Sequence, residues 1–223
     1  MVKYRTELKH YINICDCLEL RSRLQAIARP DPNACADGRY RIRSLYFDNY
    51  DDKAVTDKLM GLSRREKFRI RYYNNDTSFI RLEKKSKINK GCYKQSAVIT
   101  SGQCEEIING RADSLLSQDS PLFAELYAKM RYQHLRPRMI VDYFREAYVF
   151  TAGNVRITID SDIRCSKNIA EFLDPGIPTI PSANAIVLEI KYDGFLPDII
   201  RDIVQIKNRN ATEFSKYVVA RLV

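Results

Sequence analysis

Six segments of this chain alternate residue by residue between apolar and charged side chains, and the charged member is most often arginine or lysine. Side chains two apart on a β-strand share a face, so such a segment forms a strand with one apolar and one cationic face. In 67–73, Arg69 and Arg71 oppose Phe68, Ile70 and Tyr72. In 79–87, Arg81, Glu83, Lys85 and Lys87 oppose Ile80, Leu82 and Lys84. The same pattern sets Arg156, Thr158 and Asp160 against Val155, Ile157 and Ile159, and Glu189 and Lys191 against Leu188 and Ile190. Arg5, Glu7 and Lys9 share a face of the first segment, and Tyr143 and Arg145 oppose Phe144. A face turned to bulk water normally mixes Thr, Ser, Gln, Lys and Glu. These faces instead concentrate cations, with Glu7, Glu83, Asp160 and Glu189 among the few acids.

Eight segments read as strands: 4–11, 39–47, 67–73, 79–87, 93–99, 136–150, 155–160 and 185–191. Six read as helices: 15–28, 51–59, 102–108, 121–133, 196–207 and 213–222. Ser120 followed by Pro121 is a helix start signal, a cap position ahead of proline in the first turn. The intervening Gly-, Pro- and Asn-bearing stretches, 29–38, 74–78, 88–91 and 174–184, are too short for a domain linker. The expectation is one domain over 1–223, of α+β class: an antiparallel eight-stranded β-barrel with helices packed outside.

The chain carries 37 Lys plus Arg against 28 Asp plus Glu, a formal charge of +9, which calls for an anionic partner. It has no P-loop, no dinucleotide-binding glycine motif and no nucleophile elbow, so any phosphate is held without a glycine-rich loop. The two histidines, His10 and His134, are not spaced as metal ligands, and the six cysteines form no CxxC pair, as expected of reduced thiols. No apolar run approaches the roughly 20 residues of a membrane helix, and the first residues lack a signal core, so a cytoplasmic location is expected. Arginines that alternate within strands, without a nucleic-acid-binding motif, argue against a nucleic-acid partner. The run from Lys84 to Lys87 reads as strand lining rather than a localisation patch, and Tyr72 and Tyr73 as strand packing rather than base-stacking platforms.

Closing the sheet with its charged faces inward would give a cationic tunnel wide enough for one slim ligand. Enclosed like charges repel at considerable cost, so such a tunnel calls for a polyanion and water. Arginine forks match phosphate oxygens in pairs, lysines supply point charges, and the few carboxylates would hold a divalent cation or pair with lysine.

Taken in order, RTELK (5–9), RSLYFD (43–48), FRIRYY (68–73), LEKK (82–85), YFR (143–145), VRITID (155–160), VLEIK (187–191) and FSKY (214–217) resemble the polyphosphate polymerase (VTC) domain of the CYTH-like triphosphate tunnel metalloenzymes. The resemblance implies transfer of the terminal phosphoryl of ATP or another nucleoside triphosphate to a polyphosphate chain inside the tunnel, with Mn²⁺ or Mg²⁺. It assigns Lys9, Arg69, Arg71, Lys85, Arg145, Arg156 and Lys191 to phosphate, together with Tyr143, Lys94 and the pair Ser215 and Lys216. It assigns metal to Glu189, with Glu7 as helper, and catalytic charge neutralisation to Arg69, Arg71, Lys85 and Arg145. The superfamily's opening ExExK is here Arg5, Glu7 and Lys9, a departure that fits a polymerase better than a two-metal hydrolase. Lys85 is the residue expected to orient water should water attack. Alternatives on the same fold are an inorganic, nucleoside or thiamine triphosphatase, and a non-catalytic sensor of polyphosphate or inositol phosphates. Without membrane segments in this sequence, any export of product would need a membrane-protein partner at the inner face of the membrane.

Overall fold

The computed structural model describes residues 5–89, 91–117, 119–206 and 209–223. Its chain order is β1 (Arg5–Ile12), α1 (Ile14–Ile27), β2 (Arg29–Pro30), β3 (Arg39–Asp48), α2 (Lys53–Leu59), β4 (Arg64–Tyr73), β5 (Asp76–Ile88), β6 (Gly91–Ile99), α3 (Ser101–Ile108), α4 (Pro121–Tyr132), β7 (Arg136–Phe150), β8 (Val155–Ser166), β9 (Ile180–Ala183), β10 (Ile186–Asp193), α5 (Asp198–Val204) and α6 (Lys216–Arg221). All eight expected strands and all six expected helices are present, and the class is α+β on an antiparallel sheet. Eight strands follow the order β1-β10-β8-β7-β3-β4-β5-β6, and the short β2 and β9 attach to β7 and β8. The expected strand end at Tyr4 and helix end at Lys207 lie outside the described residues.

Two compact units make up the chain. The first comprises 1–41, 143–163 and 183–215, the second 42–142, 164–182 and 216–223. In the first, the apolar faces of β8 and β10, with Ile157, Ile159, Leu188 and Ile190, pack against Cys17, Leu20 and Leu24 of α1 and Ile200 and Val204 of α5. Helix α1 is started by a reciprocal cap: Asp16 N–H donates to Asn13 Oδ1 at 2.8 Å, and Asn13 N–H donates to Asp16 Oδ2 at 2.9 Å.

In the second unit, Phe68, Ile70 and Tyr72 of β4 and Ile80 and Leu82 of β5 pack against Cys104 and Ile107 of α3 and Leu122, Leu126 and Met130 of α4. Pro121 opens α4 after Ser120, as its sequence signal requires. Lys84 lies on this helix side, paired with Glu66 at 3.2 Å and with Glu125 of α4. Tyr72 is core, its hydroxyl donating to the Phe172 carbonyl at 2.8 Å. Arg43 is buried and doubly bonded to Asp142, both contacts at 2.8 Å, with further donations to the carbonyls of Phe172, Asp174 and Pro175. The six cysteines are free thiols, and Cys17, Cys104 and Cys165 are buried. No described helix is long and apolar enough to cross a membrane.

Candidate functional site

With one face of each sheet section sealed by helices, the alternation leaves the charged residues together on the other, and the register decides which of them meet. In the first unit, β1, β10 and β8 align Lys9 with Glu189 and Thr158, and Glu7 with Lys191 and Arg156. Across β1 and β10 opposite charges therefore face each other, Lys9 against Glu189 and Glu7 against Lys191, which stabilises that pairing. Glu189 is the focus. Its carboxylate lies 3.1 Å from Lys191, 3.6 Å from Arg145 and 3.7 Å from Lys9, and Lys9 is also 2.7 Å from Glu7. Burial pushes the Glu189 carboxyl up, but Lys191, Lys9 and Arg145 outweigh it and hold it well below the usual range. Burial likewise opposes the charge on Lys9, and Glu189 and Glu7 overcome it to raise the ammonium.

Arg145 forks onto the fully buried Asp160 at 2.6 and 2.8 Å, beneath the Tyr143 ring 5.5 Å away. Arg156 pairs with the buried Asp31 and donates to the Tyr40 hydroxyl at 2.9 Å. Asp31 and Tyr40 belong to this cluster and were not singled out in the sequence, because Asp31 lies in the proline-bearing stretch 29–38, outside any alternating segment, and Tyr40 looks like strand packing. With Arg5 beside Asp193 at 3.6 Å, the cluster carries as many carboxylates as cations. It is richer in acid than the alternation implied.

The second unit is built the other way. The β4–β5–β6 ladder sets Lys67 opposite Lys85 and Lys85 opposite Lys94. Arg65 faces Lys87, and Arg71 faces Arg81. Like charges placed directly opposite destabilise a sheet. The acid in this array is Glu83, opposite Arg69 and buried, 2.6 Å from Arg69, 2.6 Å from Lys94 and 4.0 Å from Arg71. On β3, Arg69 donates to the Tyr46 hydroxyl at 3.3 Å and Arg71 to the Ser44 hydroxyl at 3.0 Å.

Lys67 is the lysine of this face that burial brings down, to about 8, with Lys58 and Arg65 adding to the effect. Lys85, which the sequence named for orienting water, is exposed and sits one strand across from Lys67. Lys216 is the first residue of α6, and Ser215 lies just ahead of that helix rather than within it. The helix is tied to its unit by Tyr217, which donates to Asp48 at 2.9 Å, and by Arg221, doubly bonded to Asp52 at 2.7 Å.

The donor set for a metal is small. Glu7 and Glu189 share Lys9, at 2.7 and 3.7 Å, which gives two neighbouring carboxylates. Among the described residues no group of three His, Cys, Asp or Glu is placed to hold an ion. Two hard oxygen donors suit a small cation that takes its remaining ligands from phosphate and water, as Mg²⁺ and Mn²⁺ do.

A family model described as the VTC domain matches residues 4–223. The chain belongs to the VTC domain family. Similar solved structures include the PH1819 protein from Pyrococcus horikoshii OT3, at 17% identity and a TM-score of 0.43, over 90% of this VTC chain and 84% of that one. A Bacillus halodurans protein provisionally described as an adenylate cyclase matches at 13% identity and a TM-score of 0.47, over 86% and 80% of the two chains. The Mimivirus capping enzyme triphosphatase matches at 13% identity and a TM-score of 0.37, over 84% and 80%. Likenesses this distant bear on neither chemistry nor ligand. No curated protein matches this VTC domain.

Proposed function

We propose that this VTC domain is a polyphosphate polymerase that transfers the terminal phosphoryl of ATP to the end of a polyphosphate chain. The observation that carries the reading is the lysine row Lys67, Lys85 and Lys94, set directly opposite one another on three adjoining strands. An array of this kind is relieved by a bound polyanion. Phosphoryl transfer needs alignment and charge neutralisation more than covalent chemistry from the protein, and this face is suited to both.

In the proposed reaction, an oxygen of the acceptor chain's terminal phosphate bonds to the γ phosphorus as the bond to the β–γ bridging oxygen breaks. ADP leaves, and the chain is one phosphate longer. Arg69 and Arg71, held by Tyr46 and Ser44, present fixed guanidinium forks to phosphate oxygens, and Lys85, Lys94 and Lys216 supply point charges. Lys9, Lys191 and Arg145 contribute charge around Glu189, and Arg156, Tyr143 and Ser215 contact phosphate. Glu7 and Glu189 would hold Mg²⁺ or Mn²⁺, which when bound offsets negative charge on phosphate oxygens. We assign the domain to the cytoplasm and any export of product to a membrane-protein partner.

The test is incubation of the purified chain with ATP and Mn²⁺, followed by gel separation of phosphate chains. Long chains support the polymerase reading. Phosphate release alone overturns it in favour of a triphosphatase, and tight binding of polyphosphate without turnover in any metal overturns it in favour of a sensor.

A further inference from the structure

The segment RSLYFD (43–48) places Ser44, Tyr46 and Asp48 on one face of β3, while Leu45 and Phe47 enter the core. Across the β3–β4 ladder Ser44 is paired with Arg71 and Tyr46 with Arg69. Each hydroxyl accepts from the arginine opposite, at 3.0 Å for Ser44 and 3.3 Å for Tyr46. Tyr46 is itself immobilised, its buried ring stacked on Tyr217 at 5.2 Å between centroids and 25° between planes. Tyr217 is in turn held by Asp48, at 2.9 Å. A long arginine otherwise spreads over many rotamers, so a partner that fixes the guanidinium raises affinity for phosphate by preorganisation.

We propose that Ser44 and Tyr46 are positioning residues of the phosphate site, orienting the guanidinium groups of Arg71 and Arg69, and that Tyr46 acts on phosphate only while it is protonated. This rests on the phosphate-binding reading above. A neutral phenol accepts from Arg69 and leaves its charge available; a phenolate would cancel that charge and repel an incoming phosphate. The groups facing Tyr46 are Arg69, Arg71 and Lys67 from β4, Lys216 and Tyr217 from α6, and Asp48 from its own strand. Burial pushes the phenol up, but Arg69, Arg71 and Lys216 outweigh it and bring it down to about 8. Ionisation therefore falls just above neutrality. By linkage, a bound polyanion must raise the pH at which Tyr46 ionises.

Tripolyphosphate is the probe, with binding measured by calorimetry between about pH 7 and about pH 9.5 and tyrosinate followed by ultraviolet absorbance. Lys67, brought down to about 8 by burial, and Tyr73, brought down by Arg71 in spite of burial, titrate on the same side of neutrality. The series is therefore run in a Lys67→Arg, Tyr73→Phe background. Expected are an affinity that falls as pH rises past about 8 in that background, and a tyrosinate step that moves upward when tripolyphosphate saturates the protein. Tyr46→Phe should bind about three- to tenfold more weakly at neutral pH, lack the step and lose the alkaline decline, whereas Ser44→Ala should weaken binding and keep the decline. A tyrosinate step unmoved by saturating tripolyphosphate, or a decline identical with and without the Tyr46 hydroxyl, overturns the proposal. The first of these readouts needs no change at position 46. Failure of tripolyphosphate to bind the unaltered protein at neutral pH overturns the phosphate reading itself, and this inference with it.

Discussion

The Glu83 carboxylate lies 2.6 Å from the Arg69 guanidinium across the β4–β5 ladder, and the same carboxylate takes Lys94 from the strand beyond, also at 2.6 Å. One buried acid thus compensates a face that is otherwise cationic. Burial pushes the Glu83 carboxyl up, yet Arg69, Arg71 and Lys94 bring it down to about 2. A carboxylate depressed on folding contributes stability that is complete above its unfolded value, near 4.5, and is lost as pH falls through about 2. Up to roughly 3 kcal/mol is involved. Glu83→Gln should lower the melting temperature at neutral pH, reduce the loss of stability on acidification, and be rescued disproportionately by tripolyphosphate. Thermal melts across pH, with and without the anion, check this.

Arg43 and Asp142 form a fully buried ion pair in the second unit. Removing one partner of a buried pair leaves an uncompensated charge and is destabilising by about 3–5 kcal/mol. Arg43→Met should therefore lower the urea midpoint strongly. The affinity of the fraction that remains folded for tripolyphosphate should be unchanged, which separates this arginine from Arg69 and Arg71.

Glu189→Gln removes one of the two adjacent carboxylates and leaves Lys9, Lys191 and Arg145 without their shared acid. Metal-free tripolyphosphate should then bind equally well or more tightly. Turnover of ATP should fall by about 100-fold or more, with a higher Mn²⁺ concentration needed for half activity. Calorimetry without metal and a metal titration of activity provide the two readouts.

Lys85 and Lys94 are exposed cations, and exposed charges are screened by salt. Tripolyphosphate affinity should weaken steadily as salt is raised to roughly 0.5 M. Lys85→Ala with Lys94→Ala should flatten that dependence, whereas Tyr46→Phe should lower affinity at every salt concentration and leave the slope in place. Binding isotherms over a salt series distinguish the two effects.

The strands were legible because each carries enough alternation to state its period and enough Val, Ile, Tyr and Phe to favour extension. The strands that escaped, Arg29–Pro30 and Ile180–Ala183, are short pairings inside proline-bearing stretches whose composition reads as loop. Helix α6 starts at Lys216 rather than 213, and α5 spans Asp198–Val204, a shorter stretch than the apolar pattern suggested. End positions depend on caps and packing more than on periodicity. In the candidate site, alternation identified the cations on the charged faces. It was silent on which would face like charge and which would face acid, since that is a matter of the register between paired strands. Hence the sequence named Lys85 and not Lys67, and gave no role to Asp31, Tyr40, Ser44 or Tyr46.

Strand β6 stands last in the sheet order, pairs with β5, and exposes most of its length. Its Lys94 confronts Lys85 across the seam. Mutual repulsion at that seam favours transient parting of the two strands, and an anion resting on the lysines opposes it. Amide protons along 92–98 should therefore exchange with solvent faster in the empty protein than with a phosphate chain aboard, so that the outermost strand reports occupancy by how tightly it is held.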